Sequence, residues 1–137
     1  MNIAFFLIPK KDVVWLNSNA SMRQALEKME YHRYTAIPLI DVVGKYAGTL
    51  TEGDLLWKLK NAAGFSFHDT EQIKIKKIPH QITNQAVQIS AEMEDLLSLA
   101  IAQNFVPVVD DQNIFIGMIR RREIIEYYAN FSKRKVI

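Results

Sequence analysis

The chain repeats itself. Tyr34-Thr35-Ala36-Ile37-Pro38-Leu39-Ile40-Asp41 returns 69 residues later as Gln103-Asn104-Phe105-Val106-Pro107-Val108-Val109-Asp110. Ten residues past each proline stands a glycine with a short apolar run, Gly48-Thr49-Leu50 and Gly117-Met118-Ile119. Six residues past each glycine comes a carboxylate, Asp54 and then Glu123, leading into Leu55-Leu56 and Ile124-Ile125. Two copies of one unit, each about half the chain, imply internal two-fold pseudosymmetry, and a repeat of this length sets the architecture before any local pattern does. Such symmetry usually places function in the seam between the halves.

Either half alone falls below the size at which a single core is comfortably stable, so the halves are expected to pack together. Of the 137 residues, 49% are apolar and 23% charged, which argues against disorder. The absence of cysteine excludes a disulfide framework and thiolate metal ligation. The opening Ile3 to Ile8 run is short for a signal core and stops at Pro9, and no segment reaches the length of a membrane span. A cytoplasmic protein without membrane contact is expected. The net charge of +2 is too small to argue for nucleic acid. Charge is concentrated, however: Arg120, Arg121, Arg122, Lys133, Arg134 and Lys135 face only Glu123 and Glu126 over the same stretch.

Each copy reads as strand, helix, strand, strand, helix. In the first, Val13 to Leu16 is a strand, Ser21 caps a helix ending near Tyr31-His32, and Thr35 to Ile40 is a buried strand. Tyr46 to Leu50 pairs back as a hairpin, and Thr51 caps a helix ending before Gly64. In the second, Ala86 to Ile89 is a strand and Ser90 a candidate cap. Met93 to Gln103 is a helix with Leu96, Leu97, Ala100 and Ile101 facing in. Phe105 to Val109 and Ile114 to Ile119 are strands, and Arg121 to Tyr128 closes the chain as a helix. Residues 1–64 form the first repeat, 65–85 a linker, and 86–137 the second repeat with its basic tail.

This order, with the h-P-h-h-D strand and the G-h-h-T-x-x-D turn, resembles a tandem pair of cystathionine-β-synthase (CBS) domains, a Bateman module. More closely, Tyr34 to Pro38, Asn104-Phe105-Val106 and the arginines after Gly117 resemble small stand-alone bacterial CBS pairs that bind cyclic di-AMP. The resemblance implies an α/β (α+β) fold of two β-α-β-β-α repeats packed with pseudo-two-fold symmetry. It also implies two clefts, each combining one repeat's first strand and h-P strand with the other repeat's T-x-x-D turn.

By that resemblance the first cleft takes Val13, Val14, Thr35, Ala36 and Ile37 with Arg120, Arg121, Arg122 and Glu123. Small Ala36 lets a flat ring approach the strand, and the Thr35 hydroxyl both donates and accepts. The free N–H groups opening the last helix, with an arginine fork, suit phosphate. Successive helix residues cannot all face one site, so one or two of the three arginines belong there. The alternative is that they form a solvated face or pair with Glu123, Glu126 and a partner subunit. Arg120 stands where the family has Thr and Glu123 where it has Asp, a substitution that adds charge and lengthens the acceptor. The second cleft takes Val87, Gln88, Asn104, Phe105 and Val106 with Thr51 and Asp54. There Thr51 and Asp54 also fit a simple helix cap, and Phe105 occupies the place of Ala36.

His32, His68 and His80 share no spacing with carboxylates, so no metal site is expected. Trp15 and Trp57 read as core or dimer-contact aromatics. No P-loop, dinucleotide fingerprint or nucleophile elbow occurs. The expected protein is a non-catalytic regulatory module without a cofactor. It binds an adenine nucleotide, cyclic di-AMP ahead of AMP, ADP or ATP, forms a homodimer and signals to a partner protein. Two rival readings stay open: a ligand-free dimerisation scaffold, and nucleic-acid binding through the basic C-terminal helix.

Overall fold

The computed structural model describes residues 1–80 and 82–135, the last three without side-chain detail. Seven strands and four α-helices follow in order: β1 (Ile8–Pro9), β2 (Leu16–Asn17), α1 (Met22–His32), β3 (Ala36–Ile40), β4 (Tyr46–Thr51), α2 (Glu52–Asn61), β5 (Val87–Gln88), α3 (Leu97–Ala102), β6 (Phe105–Val109), β7 (Phe115–Arg120) and α4 (Arg121–Lys135). They sort into two compact units. The central unit is Val14–Thr83, and the split unit joins Met1–Val13 to Asn84–Ile137.

In the central unit β2 runs parallel to β3, and β3 pairs antiparallel with β4 in the register Ala36↔Thr51 and Ile37↔Leu50. Ser21 opens α1 with a capping box: its hydroxyl accepts from the Gln24 amide at 3.2 Å, and the Gln24 side chain accepts from the Ser21 amide at 2.9 Å. Met22, Ala25 and Met29 lie at helical spacing and bury against Ile37, Leu39, Leu50 and Leu55. The stretch after α2 forms short 3-10 turns instead of a loose linker. Ile75 and Ile78 join the same core, and Arg23 anchors the stretch through the Thr70 hydroxyl at 2.9 Å and the Phe67 carbonyl at 3.0 Å.

In the split unit the sheet order is β1-β7-β6-β5. Here β6 and β7 reproduce the hairpin, with Phe105↔Arg120 and Val106↔Ile119, and β5 lies parallel to β6. The outer strand comes from the chain's start: Ile8 pairs with Met118 and Pro9 with Gly117. Ile3 is fully buried beside Met93, Leu96, Val106, Val108, Ile119 and Ile124. Two-residue strands of this kind carry no alternation to read. Ile78-Pro79 repeats Ile8-Pro9 at a spacing of 70. Residues 7–13 therefore serve the split unit, and Ile78 serves the central one. The expected boundaries at 64 and 86 follow the repeats in sequence, whereas these units follow packing.

Several elements differ from expectation. The first strand is Leu16–Asn17, not Val13 to Leu16, because the Val13 amide closes a 3-10 turn onto Lys10. The helix expected over Met93 to Gln103 is a 3-10 turn, Met93–Asp95, followed by the short α3. Glu92 rather than Ser90 caps that turn: the Asp95 carboxylate accepts from the Glu92 amide at 3.1 Å, a local bond that competes with helix continuation. Leu96 and Ala100 are buried as expected, but Leu97 and Ile101 face out, since six residues present only one inward stripe. Conversely, α4 runs past Tyr128 to Lys135.

Candidate functional site

In both units the strand-to-helix turn is built by the same backbone bond. The first helical amide donates to the carbonyl just before the h-P strand, Glu52 to Thr35 and Arg121 to Asn104, each at 2.9 Å. That bond sets the turn against the strand's start. It also occupies one of the helix amides expected to be free for an anion.

The turns then diverge. In the central unit the Thr51 hydroxyl accepts from the Asp54 amide at 3.2 Å, and the Asp54 carboxylate accepts from the Thr51 amide at 3.0 Å. Asp54 is buried, so the capping role is realised in full. Loss of such a box costs about 1–2 kcal/mol. Asp54→Ala is therefore expected to lower the melting temperature by several degrees, and an unchanged melting curve would remove Asp54 from the cap. In the split unit Arg120 replaces the threonine and has no acceptor to offer. It donates instead to Glu123, with Nε 2.8 Å from Oε1. The other Glu123 oxygen is buried without a partner among the described residues.

The three consecutive arginines separate by environment. Arg120 is paired with Glu123 and Arg122 with Glu126, the latter at 3.0 Å on an exposed helix face. Arg121 has no carboxylate partner among the described residues; its Nε donates to the Gln103 carbonyl at 2.9 Å. One donor is thus committed to backbone, and the outer guanidinium fork has the donor geometry that suits an anion. Pairing of Arg120 and Arg122 follows the alternative named from sequence; Arg121 departs from it. Lys133, Arg134 and Lys135 have side chains outside the described residues.

The structure gathers candidate residues repeat by repeat. Ala36, half-buried, is the register partner of Thr51, and Ile37 is fully buried beside them. Thr35 is exposed, with its carbonyl turned to α2. Val106 and Phe105 are buried next to Ile119 and Arg120, while Asn104 is exposed. Phe105, only 5% exposed, is a core side chain where Ala36 leaves room. Val87 and Gln88 form β5, half-buried and exposed respectively. Val13 closes the split unit's first segment and Val14 opens the central unit. Residues assigned together from opposite repeats, Thr35 to Ile37 with Arg120 to Glu123 and Asn104 to Val106 with Thr51 and Asp54, thus belong to different units.

A residue missed from sequence is Gln103, buried between Gln85, Phe105 and Arg121. A lone glutamine after a helix carries no periodic signal. A carboxylate outside the candidate set is strongly perturbed: the Tyr127 hydroxyl donating to Glu94 holds that carboxyl down to about 2 and raises the phenol in turn. Among the described residues no helix is long and apolar enough to cross a membrane.

The chain belongs to the CBS-domain family, which matches residues 7–61 and again 78–130. The matches begin at the two Ile-Pro segments, so the repeat reaches further back than the h-P strands alone indicate. The inosine-5'-monophosphate dehydrogenase of Methanocaldococcus jannaschii is 27% identical over 85% of this chain, which spans only 22% of that enzyme's length. Among solved structures, CbpB in complex with cyclic di-AMP superposes with a TM-score of 0.82 at 20% identity, over 99% of this chain and 89% of that one. CBSX2 in complex with AMP gives 0.72 at 22% identity, over 96% and 98%. The chain is accordingly a CBS pair.

Proposed function

We propose that this CBS pair is a non-catalytic regulatory module that binds an adenine nucleotide, cyclic di-AMP ahead of AMP, ADP or ATP. The observation that carries the reading is Arg121, the member of the arginine triplet without a carboxylate partner among the described residues, at the start of a fifteen-residue helix. A cation at a helix N-terminus opposes the helix dipole, and a bound phosphate would reconcile the two. Small Ala36 and the Thr35 hydroxyl suit adenine, and the Glu123 oxygen that has no partner among the described residues suits a ribose hydroxyl. Within the repeats, the Ala36 side is favoured over the Phe105 side, where a large side chain is buried. The named ligands of CbpB and CBSX2 support an adenine nucleotide. A cytoplasmic homodimer signalling to a partner protein completes the proposal. Exposed Leu56, Trp57 and Leu59 on α2 and Ile125 on α4 provide apolar helix surface for pairing.

Melting the protein with cyclic di-AMP, AMP, ADP and ATP in turn tests this. A ligand at 100 times its Kd adds about 2.7 kcal/mol, a rise of roughly 10 °C for a chain of this size. No shift with any of the four would leave the scaffold reading in its place.

A further inference from the structure

We propose that Gln103 is the positioning residue that holds the Arg121 guanidinium in its anion-facing pose. Its amide donates to Leu99 at 2.9 Å, ending α3, and its carbonyl accepts from Arg121 Nε at 2.9 Å. Its side-chain oxygen accepts from the Gln85 amide at 2.8 Å, and its Nε2 donates to the carbonyls of Gln85 and Phe105, each at 3.1 Å. Five bonds thus tie one buried residue, 6% exposed, to the end of α3, the approach to β5, the start of β6 and the first turn of α4.

The side chain's three bonds fix where the Gln103 carbonyl points. The carbonyl, in turn, fixes where Arg121 points. A buried amide with all these groups paired is costly to disturb, because each broken bond leaves a buried donor or acceptor unsatisfied. The corresponding residue of the first repeat, 69 positions earlier, is Tyr34, which is exposed. Its helix begins with Glu52, so no guanidinium needs holding there. Among the described residues the clamp therefore occurs in the repeat whose last helix opens with Arg121, and not in the other.

This inference rests on the nucleotide reading only for its second arm. In the first, exchange of the Arg121 Nε proton is followed by NMR in the ligand-free protein. Gln103→Leu should accelerate it by a factor of about ten or more, the worth of one charge-assisted bond. In the second, affinities for AMP and adenosine are compared. Loss of positioning should shrink the AMP preference about tenfold while adenosine binding changes little, whereas mere loosening of the fold would weaken both alike. If Gln103→Leu does not fold, Gln103→Glu keeps the shape and the acceptor for Gln85 but loses both donors, and should move the same way. An unaltered Arg121 Nε exchange rate overturns the proposal, as does an unaltered AMP preference in a variant that exchanges faster. If the unsubstituted protein binds none of the four nucleotides, the nucleotide reading falls and the exchange arm alone decides the role of Gln103; if it binds cyclic di-AMP but not AMP, the second arm compares cyclic di-AMP with adenosine.

Discussion

Gly117→Ala is expected to destabilise the protein by on the order of 3 kcal/mol, at the upper end for inserted bulk in a packed interior. A Cβ there would lie 2.2 Å from the Ile8 carbonyl oxygen and 2.8 Å from a Leu7 methyl. The first of these is backbone and cannot swing aside, so β1 would have to leave β7. Gly48, the matching glycine of the first repeat, is a control. Its φ of +138° also disfavours a side chain, but its nearest new neighbour is His80 Nδ1 at 3.6 Å. Gly48→Ala therefore suffers backbone strain without collision and should lose less. Urea unfolding of the two variants side by side checks the ranking, and an equal loss at both positions would sink the close-approach argument.

Arg121→Ala should weaken cyclic di-AMP binding by about 10- to 100-fold, the range for one charge-assisted contact to phosphate. Stability should fall by about 1 kcal/mol, since the Gln103 carbonyl loses the Arg121 donor. Arg122→Ala should change affinity within about twofold, because that side chain is 75% exposed and engaged with Glu126 in a surface pair of little energetic weight. Titration calorimetry at fixed ionic strength reads both. Equal losses for the two variants, or none for Arg121→Ala, would remove Arg121 from its assigned role.

Much of this architecture was legible because its signals are local. Ser21 and Thr51 announce α1 and α2 through caps that the structure realises as full capping boxes. The proline-centred strands announce β3 and β6 by their unbroken apolar runs. What stayed hidden depends on distant partners. Nothing near Ile8-Pro9 reveals that its pairing strand lies beyond residue 114, and a two-residue strand offers no period to detect. The site was half legible for the same reason. Residue types at the turns could be read, but which arginine is spared depends on the spacing of Glu123 and Glu126 around a helix. It depends as well on Gln103 presenting a backbone carbonyl, a group every residue has.

The borrowed strand also has a consequence in time. Ile8 waits for Met118, 110 residues downstream. At a ribosomal pace of roughly 5–20 residues per second, that is about 5–20 s during which the nascent segment has no mate. Residues 14–83 are synthesised complete in the interval and can close first. The segment carrying Ile3 to Ile8 is thus seated only after the central unit can have closed, and until then Ile3 lacks the partners it is buried against, Met93, Leu96 and Ile119 among them.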